Sequence, residues 1–220
     1  MKRRLMGLDS GPNENTMLLL HFDGNFNDAT GNVSLLKSNS SFTTGKYGQA
    51  VRCYNTTIDY IKNAIFDFGA ADFTVDFWIY PEDNVNYGIM LSNGWDEVGG
   101  TNGNSWLIGY KSTNQTIRFC ANFISYSQNK DVLISNAILK LGAWTHVAIA
   151  RRGDQWFMFF DGVLVASATY SGSILPSSRT FHFNGLVNSA SYRCIYKIDE
   201  FRISNFARWT SNFTPPTKPY

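Results

Sequence analysis

The sequence predicts an all-β protein organised as a β-sandwich or barrel. Runs of strand length that are rich in Val, Ile, Phe, Trp and Thr recur at spacings of about 8 to 12 residues, which is typical of such folds. The clearest runs lie in residues 144–170, where the turns 152–154 (Arg-Gly-Asp) and 161–162 (Asp-Gly) separate three of them. Because Gly accepts the positive φ of a tight hairpin, this segment indicates an antiparallel three-stranded meander. No long stretch shows helical periodicity.

The remaining elements follow from the same pattern. The predicted strands are, in chain order, 17–22, 41–42, 50–54, 73–80, 88–92, 106–110, 116–122, 132–135, 144–151, 155–160, 163–170, 180–184 and 194–204. In strand 73–80, alternation places an apolar set on one face and a polar, aromatic set on the other. The apolar set is Phe73, Val75, Phe77 and Ile79, and the opposite set is Thr74, Asp76, Trp78 and Tyr80. A short helical turn is expected near 205–209.

The chain is expected to form one domain, because no linker separates two apolar regions. Residues 1–15 carry charge, Gly, Pro and Asn but little apolar content, so they are interpreted as an arm. The arm either docks on a neighbouring subunit or frays as an ordinary terminus. The domain itself is predicted over 16–213. The segment 214–220 is a proline-rich tail that cannot join a central strand.

Composition restricts the class of protein. The 220 residues are 44% hydrophobic and 15% aromatic, so a sizeable core can form. A net charge of +2 predicts no general attraction to nucleic acid or to an anionic membrane. The chain has three cysteines, an odd number, at wide spacings: Cys53, Cys120 and Cys194. They are expected to be reduced and buried, which favours a reducing compartment. No apolar run is long enough for a secretory leader or a membrane span.

Four segments resemble a laminin G-like, concanavalin A-like jelly-roll domain. They are LLLHFDGNFNDATGN (18–32), ADFTVDFWIYP (71–81), WTHVAIARRGDQWFMFFDGVLV (144–165) and KIDEFRISNFARWTSNFTPP (197–216). The resemblance implies a sandwich of two antiparallel sheets. The opening and closing segments are similar to versions found in bacteriophage virion proteins, namely tail fibres, tail-tip proteins and head decorations.

That resemblance implies a non-enzymatic phage virion structural protein, either a capsid decoration or a tail or fibre component. Its expected partners are other virion proteins, in many copies, within a particle assembled in the host cytoplasm. The alternative is a lectin-like receptor-binding module that recognises host surface glycans. The fold hosts enzymes, lectins and adhesion modules alike, so it does not decide between them.

Calcium is the candidate cofactor. Calcium prefers six to eight oxygen ligands, and the turn 23–28 is dense in carboxylate and amide oxygens. In the last strand, Asp199 alternates with Phe201 and Ile203, which predicts that it points inward and needs a partner. The first and last strands are commonly neighbours in the family, which often binds calcium near such positions. The predicted ligands are Asp23, Asp28, Asp199 and Glu200. The alternative is an Asx-turn at Asp23, with Asp199 bonded to backbone N–H groups.

A glycan site is predicted in the polar, Gly-rich loop 93–104. Its central Trp95 is less easily explained as core than an aromatic residue in an alternating strand. The candidate residues are Trp95, Asp96, Asn102, Trp106 and Tyr126. Packing in the core or an interface is the alternative role for each aromatic residue.

Catalysis is not expected. The laminarinase-type hydrolases of this fold place acidic residues at alternate positions of one strand, because two carboxyl groups must flank the scissile bond. No E-x-D-x-x-E motif occurs here. The histidines His21, His146 and His182 have no evident Ser or Cys partner in a nucleophile motif. His146 is expected to be a hydrogen-bonded strand residue.

Overall fold

A computed structural model describes residues 12–83, 88–95, 103–111, 116–126, 128–186 and 192–220. Within them the strands are β1 (Thr16–Leu20), β2 (Leu35–Ser38), β3 (Ser41–Thr44), β4 (Gln49–Cys53), β5 (Ile58–Tyr60), β6 (Phe73–Pro81), β7 (Ile89–Asn93), β8 (Trp106–Tyr110), β9 (Thr116–Ala121), β10 (Lys130–Ile138), β11 (Thr145–Arg152), β12 (Gln155–Phe160), β13 (Val163–Thr169), β14 (Phe181–Phe183) and β15 (Tyr196–Ser204). A 3-10 turn spans Ala64–Phe66. The predicted helical turn at 205–209 is not formed.

The strands of the described residues form two antiparallel sheets, as predicted. Sheet 1 has eight strands in the order β13-β12-β11-β6-β15-β4-β3, and β1 also pairs with β15. Sheet 2 has seven strands in the order β10-β9-β8-β7-β14-β5-β2. The first and last strands, β1 and β15, are therefore neighbours. The meander β11-β12-β13 forms one edge of sheet 1, joined to the rest through β6.

The hydrophobic core lies between the two sheets. The predicted inward face of β6 is confirmed, since its four apolar side chains are at most 1% exposed. These are Phe73, Val75, Phe77 and Ile79. Phe73 packs against Phe119 of sheet 2, with ring centroids 6.0 Å apart. Burial of this alternating face holds the register of β6, because a one-residue slip would turn every apolar side chain outward.

The segment 205–220 covers part of the outer face of sheet 1 without joining it as a strand. Gly162 lies in the β12–β13 turn, and its carbonyl accepts a hydrogen bond from the backbone N of Phe213 at 3.0 Å. Trp209 stacks on Phe213 with centroids 4.0 Å apart, and both rings lie against His146. The proline-rich tail thus shields the polar and aromatic face of β6.

A buried ion pair lies beneath this segment. Arg202 donates to both oxygens of Asp76 at 3.2 and 3.0 Å, and both side chains are almost fully buried. The hydroxyl of Tyr220 also donates to Asp76. Burial opposes ionisation of Asp76, but the Arg202 guanidinium and the hydrogen bond with His146 outweigh it and hold the pKa of Asp76 well below its usual range. A buried polar network therefore lies between the outer face of sheet 1 and the segment 205–220, where the surrounding contacts are apolar.

The three cysteines are free and buried, as predicted. Burial raises the pKa of the thiols of Cys53 and Cys120 to about 12, so both are protonated and unreactive at neutral pH. Among the described residues, no helix has the length and apolar content needed to cross a bilayer.

Candidate functional site

Strand β15 changes its neighbour on one side at Asp199 and Glu200. Residues 196–198 pair with β4, whereas residues 201–204 pair with β1. A β-bulge interrupts the pairing with β6 at the same point, and Glu200 adopts a positive φ of 49°. Both carboxyl groups therefore lie where the regular ladder of hydrogen bonds is broken.

The bulge also changes which side chains point into the core. Ile198 and Phe201 both belong to the inter-sheet core although they are three residues apart. Asp199 lies opposite Trp78 on the outer face of sheet 1. The prediction that Asp199 points inward with Phe201 and Ile203 is therefore wrong. The extra residue of the bulge reverses the alternation of the strand, and the sequence pattern alone does not show it.

Asp199 is nevertheless fully buried, because the β3–β4 turn covers it. Its Oδ2 accepts a hydrogen bond from the backbone N of Tyr47 at 2.9 Å, whereas Oδ1 is buried with no partner in the described structure. Burial raises the pKa of Asp199 to about 7; the hydrogen bond from Tyr47 opposes this shift, and the charge of Glu200 adds to it. An unpaired carboxylate oxygen is thus held in a site that disfavours its charge.

Asp23 holds the other end of the same turn. Its Oδ1 accepts a hydrogen bond from the backbone N of Gln49 at 2.6 Å. A Cβ atom at Gly48 would approach this oxygen to 2.3 Å, and Gly48 has a φ of +51°, so the contact requires glycine. Asp23 and Asp199 therefore both hold the 45–49 segment by backbone hydrogen bonds. The alternative to a metal site predicted this for Asp199, whereas Asp23 bonds to the distant Gln49 and not within its own turn.

Glu200 is occupied by protein partners. Its side chain is 1% exposed and lies 3.0 Å from Nδ1 of His21. The backbone N of Tyr220 donates to its second oxygen at 2.8 Å. The hydrogen bond to Glu200 raises the pKa of His21 despite partial burial. Glu200, on β15, therefore connects His21, just after β1, with the C-terminal segment.

Asp28 organises the turn after β1. Its Oδ1 accepts from the backbone N atoms of Leu19 and Thr30, and its Oδ2 accepts from those of Asn32 and Val33. The hydroxyl of Thr30 adds a fifth bond. In this arrangement Asp28 is not available as a metal ligand. Within the described residues, no group of three or more His, Cys, Asp and Glu side chains could hold a metal ion.

The two tryptophans predicted to bind glycan are buried. Trp106 is fully buried in the inter-sheet core, and its Nε1 donates to the carbonyl of Phe66 at 2.8 Å. Trp95 is 6% exposed and packs in a separate apolar cluster with Leu107 and Cys120. The prediction that these rings are free to stack on a sugar is wrong for both, because apolar neighbours cover them.

Tyr126 is half-buried, and its hydroxyl donates to the carbonyl of Pro176 at 3.1 Å. The other two candidates, Asp96 and Asn102, lie outside the described residues. The predicted glycan residues are thus not brought together as one exposed aromatic surface in the described part of the chain.

A different set of aromatic and charged side chains lines up across the outer face of sheet 1. The strand register places Tyr80 beside Lys197 and Lys197 beside Arg52. Trp144 immediately precedes β11 and contacts Tyr80, with ring centroids 5.6 Å apart. These four residues, Trp144, Tyr80, Lys197 and Arg52, are called the outer-face row. At the usual spacing of strands the row extends over about 14 Å.

Charges are fixed beside the aromatic rings of the row. Nζ of Lys197 lies 4.7 Å from the centroid of the Tyr80 ring and 3.8 Å from Glu82. Nε of Arg52 donates to Glu82 at 2.5 Å, and its guanidinium lies 5.1 Å from the ring of Tyr54, which is 51% exposed. Aromatic faces beside hydrogen-bonding groups can stack against a sugar and bind its hydroxyls. The signal in the sequence was the aromatic and polar face of strand 73–80.

A serine and a histidine also meet on sheet 2. Nε2 of His182 lies 2.9 Å from Oγ of Ser92 and 3.1 Å from the carbonyl of Gly185. Because the carbonyl can only accept, Nε2 carries the proton and cannot act as a base toward Ser92 through that atom. Burial lowers the pKa of His182 to about 4, so the ring is neutral. This pair is arranged as a structural hydrogen bond.

The comparisons with known proteins identify the family and the fold. The family model described as the concanavalin A-like lectin/glucanases superfamily matches residues 55–211. No curated protein matches the sequence. Similar solved structures include the binding domain of Paraclostridial Mosquitocidal Protein 1, at 18% identity, a TM-score of 0.69 and coverage of 88% of this chain and 49% of that one. The chain thus spans about half the length of that structure.

Two further structures have the same fold. Domain 4 of AbnA, an extracellular arabinanase from Geobacillus stearothermophilus solved with arabinotriose, is 17% identical with a TM-score of 0.66, and the match covers 88% of this chain and 93% of that one. The binding domain of botulinum neurotoxin serotype G is 16% identical with a TM-score of 0.65, over 88% of this chain and 48% of that one. At such identities the likeness establishes the fold alone.

Proposed function

Because the chain belongs to the concanavalin A-like lectin/glucanases superfamily, we propose that it is a non-enzymatic, lectin-like module that recognises surface glycans. Domains of the same fold include the binding domains of two toxins and a domain solved with a bound oligosaccharide. Fold alone does not assign binding, so the proposal depends on a surface of this chain.

The observation that supports it is the outer-face row. Tyr80 and Trp144 are both partly exposed, in contrast with the buried Trp95 and Trp106. Tyr80, Lys197 and Arg52 lie on paired strands of sheet 1, and Trp144 packs against Tyr80, so these side chains are held at fixed spacings. A binding site on strands needs little ordering when the ligand arrives, which favours affinity.

A panel of immobilised glycans tests the proposal with the purified chain and two variants. Wild type is expected to bind at least one class of glycan, and Tyr80→Ala to lose that binding because the stacking surface is removed. Tyr126→Ala is the matched control, since Tyr126 lies in the connection between β9 and β10 of sheet 2, away from the outer-face row. Far-ultraviolet circular dichroism confirms that each variant is folded. Retention of binding by Tyr80→Ala, or its loss in Tyr126→Ala alone, would contradict the assignment.

The setting we propose is a bacteriophage virion, in a capsid decoration or in a tail or fibre. The support is the similarity of the opening and closing segments, residues 18–32 and 197–216, to those of phage virion proteins. In this setting the arm 1–15 attaches the domain to another virion protein, and the outer-face row stays free for the host surface. Removal of residues 1–11 should abolish incorporation into particles while preserving glycan binding.

Calcium remains a proposal at the junction of β1, β4 and β15. The support is Oδ1 of Asp199, a buried carboxylate oxygen with no partner in the described structure. Asp23 and Asp199 would hold the ion, with Glu200 nearby, and most ligands would be backbone carbonyls and water. A bound cation would restore the charge of Asp199. A melting temperature unchanged by both chelator and added calcium would contradict this proposal.

A further inference from the structure

The outer-face row and its neighbours bring three cations together. Lys197 and Arg52 share one carboxylate, that of Glu82. Lys46 stands over the ring of Trp78, with Nζ 4.2 Å from its centroid, on the same face. Trp78 is two residues from Tyr80 on β6, so this third cation lies beside the row. In the described part of this surface these cations lie near Glu82, Asp83 and the buried Asp199 opposite Trp78. The preference for an acidic ligand therefore rests on where exposed donors lie and not on net charge.

The donors of these cations are incompletely used. Arg52 bonds to Glu82 through Nε, and the described residues provide no hydrogen-bond partner for its Nη1 and Nη2 atoms. Its side chain is 40% exposed, which leaves those atoms open to solvent. Two parallel N–H groups of a guanidinium match the two oxygens of a carboxylate. The cation–π contacts with Tyr54, Tyr80 and Trp78 hold the charges beside the aromatic rings.

We propose that the outer-face row binds an acidic glycan, with a sugar carboxylate on Arg52 and Lys197 and a sugar ring against Tyr80 and Trp144. The inference rests on the proposed glycan-binding function and specifies its ligand. A neutral sugar would use the aromatic rings and Glu82 but would leave the exposed Nη1 and Nη2 donors of Arg52 without an anionic partner. An acidic sugar uses both parts of the surface. Because the cations are near solvent, binding weakens as salt concentration rises.

Matched pairs of glycans test this ligand class. The probes are an oligogalacturonate with its carboxyl-reduced oligogalactoside, and sialyllactose with lactose. The acidic member of at least one pair is expected to bind about tenfold more tightly than its neutral partner, as for one charged hydrogen-bonding contact. Equal binding of both members would overturn the acidic ligand and leave the glycan-binding function standing. Absence of binding to every member would overturn both.

Variants separate the charge from the stacking surface. Arg52→Gln is expected to lose the acidic preference while keeping any neutral binding, and Lys197→Gln serves as an independent second variant if the first is unstable. Arg152→Gln is the matched control, because Arg152 is an exposed arginine at the end of β11. An acidic preference unchanged in both row variants, or lost equally in the control, would overturn the inference.

Discussion

Replacing Asp199 by asparagine removes a charge that the fold disfavours. The asparagine side chain keeps an acceptor for the backbone N of Tyr47 and introduces an amide where Oδ1 has no partner. Ordinarily the loss of a buried carboxylate would destabilise a protein, because such groups are paired. Here the unpaired oxygen and the raised pKa predict the opposite at alkaline pH.

The magnitude follows from the pKa of Asp199. The folded value is about 7 and the unfolded value is about 3.9, so folding favours the protonated form. The stabilisation from this proton is fully present below pH 4 and is lost as the pH rises through 7. The difference between the two pKa values corresponds to an upper limit of about 4 kcal/mol at pH 8. We therefore expect Asp199→Asn to be more stable than wild type by about 1 to 4 kcal/mol at pH 8, and nearly equal to it near pH 4.

Denaturant unfolding at pH 4, 6 and 8, with chelator present, measures the difference. The raised pKa of His21 adds a loss of stability with rising pH in the same direction, and its main cause, the hydrogen bond to Glu200, is kept in both proteins. Addition of calcium at pH 8 should stabilise wild type and leave the variant unchanged. A variant that is less stable than wild type at pH 8 in chelator would refute the reasoning about Asp199.

Three further outcomes are expected. Asp76→Asn should cost about 3 to 5 kcal/mol at pH 7 because it removes the buried negative charge that both donors of Arg202 contact. Wild type should lose the contribution of this pair as the pH falls below about 4, and denaturant titration measures both effects. Gly162→Ala should loosen the C-terminal segment, since the added Cβ would lie 1.9 Å from the carbonyl oxygen of Phe213; faster hydrogen exchange in 205–220 would report it. Trp106→Ala should cost about 3 to 5 kcal/mol in unfolding free energy without changing glycan specificity in the folded fraction.

The overall fold could be predicted from the sequence because strand periodicity and turn chemistry are local. The outer strands were harder to detect. The strand Leu35–Ser38 lies at a sheet edge, and its two leucines are 37% and 53% exposed. Since neither face of the strand is buried, its sequence shows no alternation of apolar and polar residues. Ile58–Tyr60 is only three residues long, too short for a period-two signal.

The sites were predicted less well, for two physical reasons. At Asp199 the bulge reverses the alternation, and such an insertion depends on how β4 and β1 share the edge of β15. At Trp95 a polar, glycine-rich loop suggested exposure, but the ring packs against Leu107 and Cys120. Whether an aromatic side chain is covered depends on contacts between distant segments. The outer-face row is likewise visible only once four strands are placed side by side.

The central claim is that glycan binds across the outer face of sheet 1. A crystal structure of the chain with the glycan selected by the panel tests it most directly. We predict a sugar ring against Tyr80 and Trp144, with an acidic group within hydrogen-bonding distance of Arg52 or Lys197. A sugar bound instead at the loop around Trp95, with the outer-face row unchanged and free, would contradict the claim.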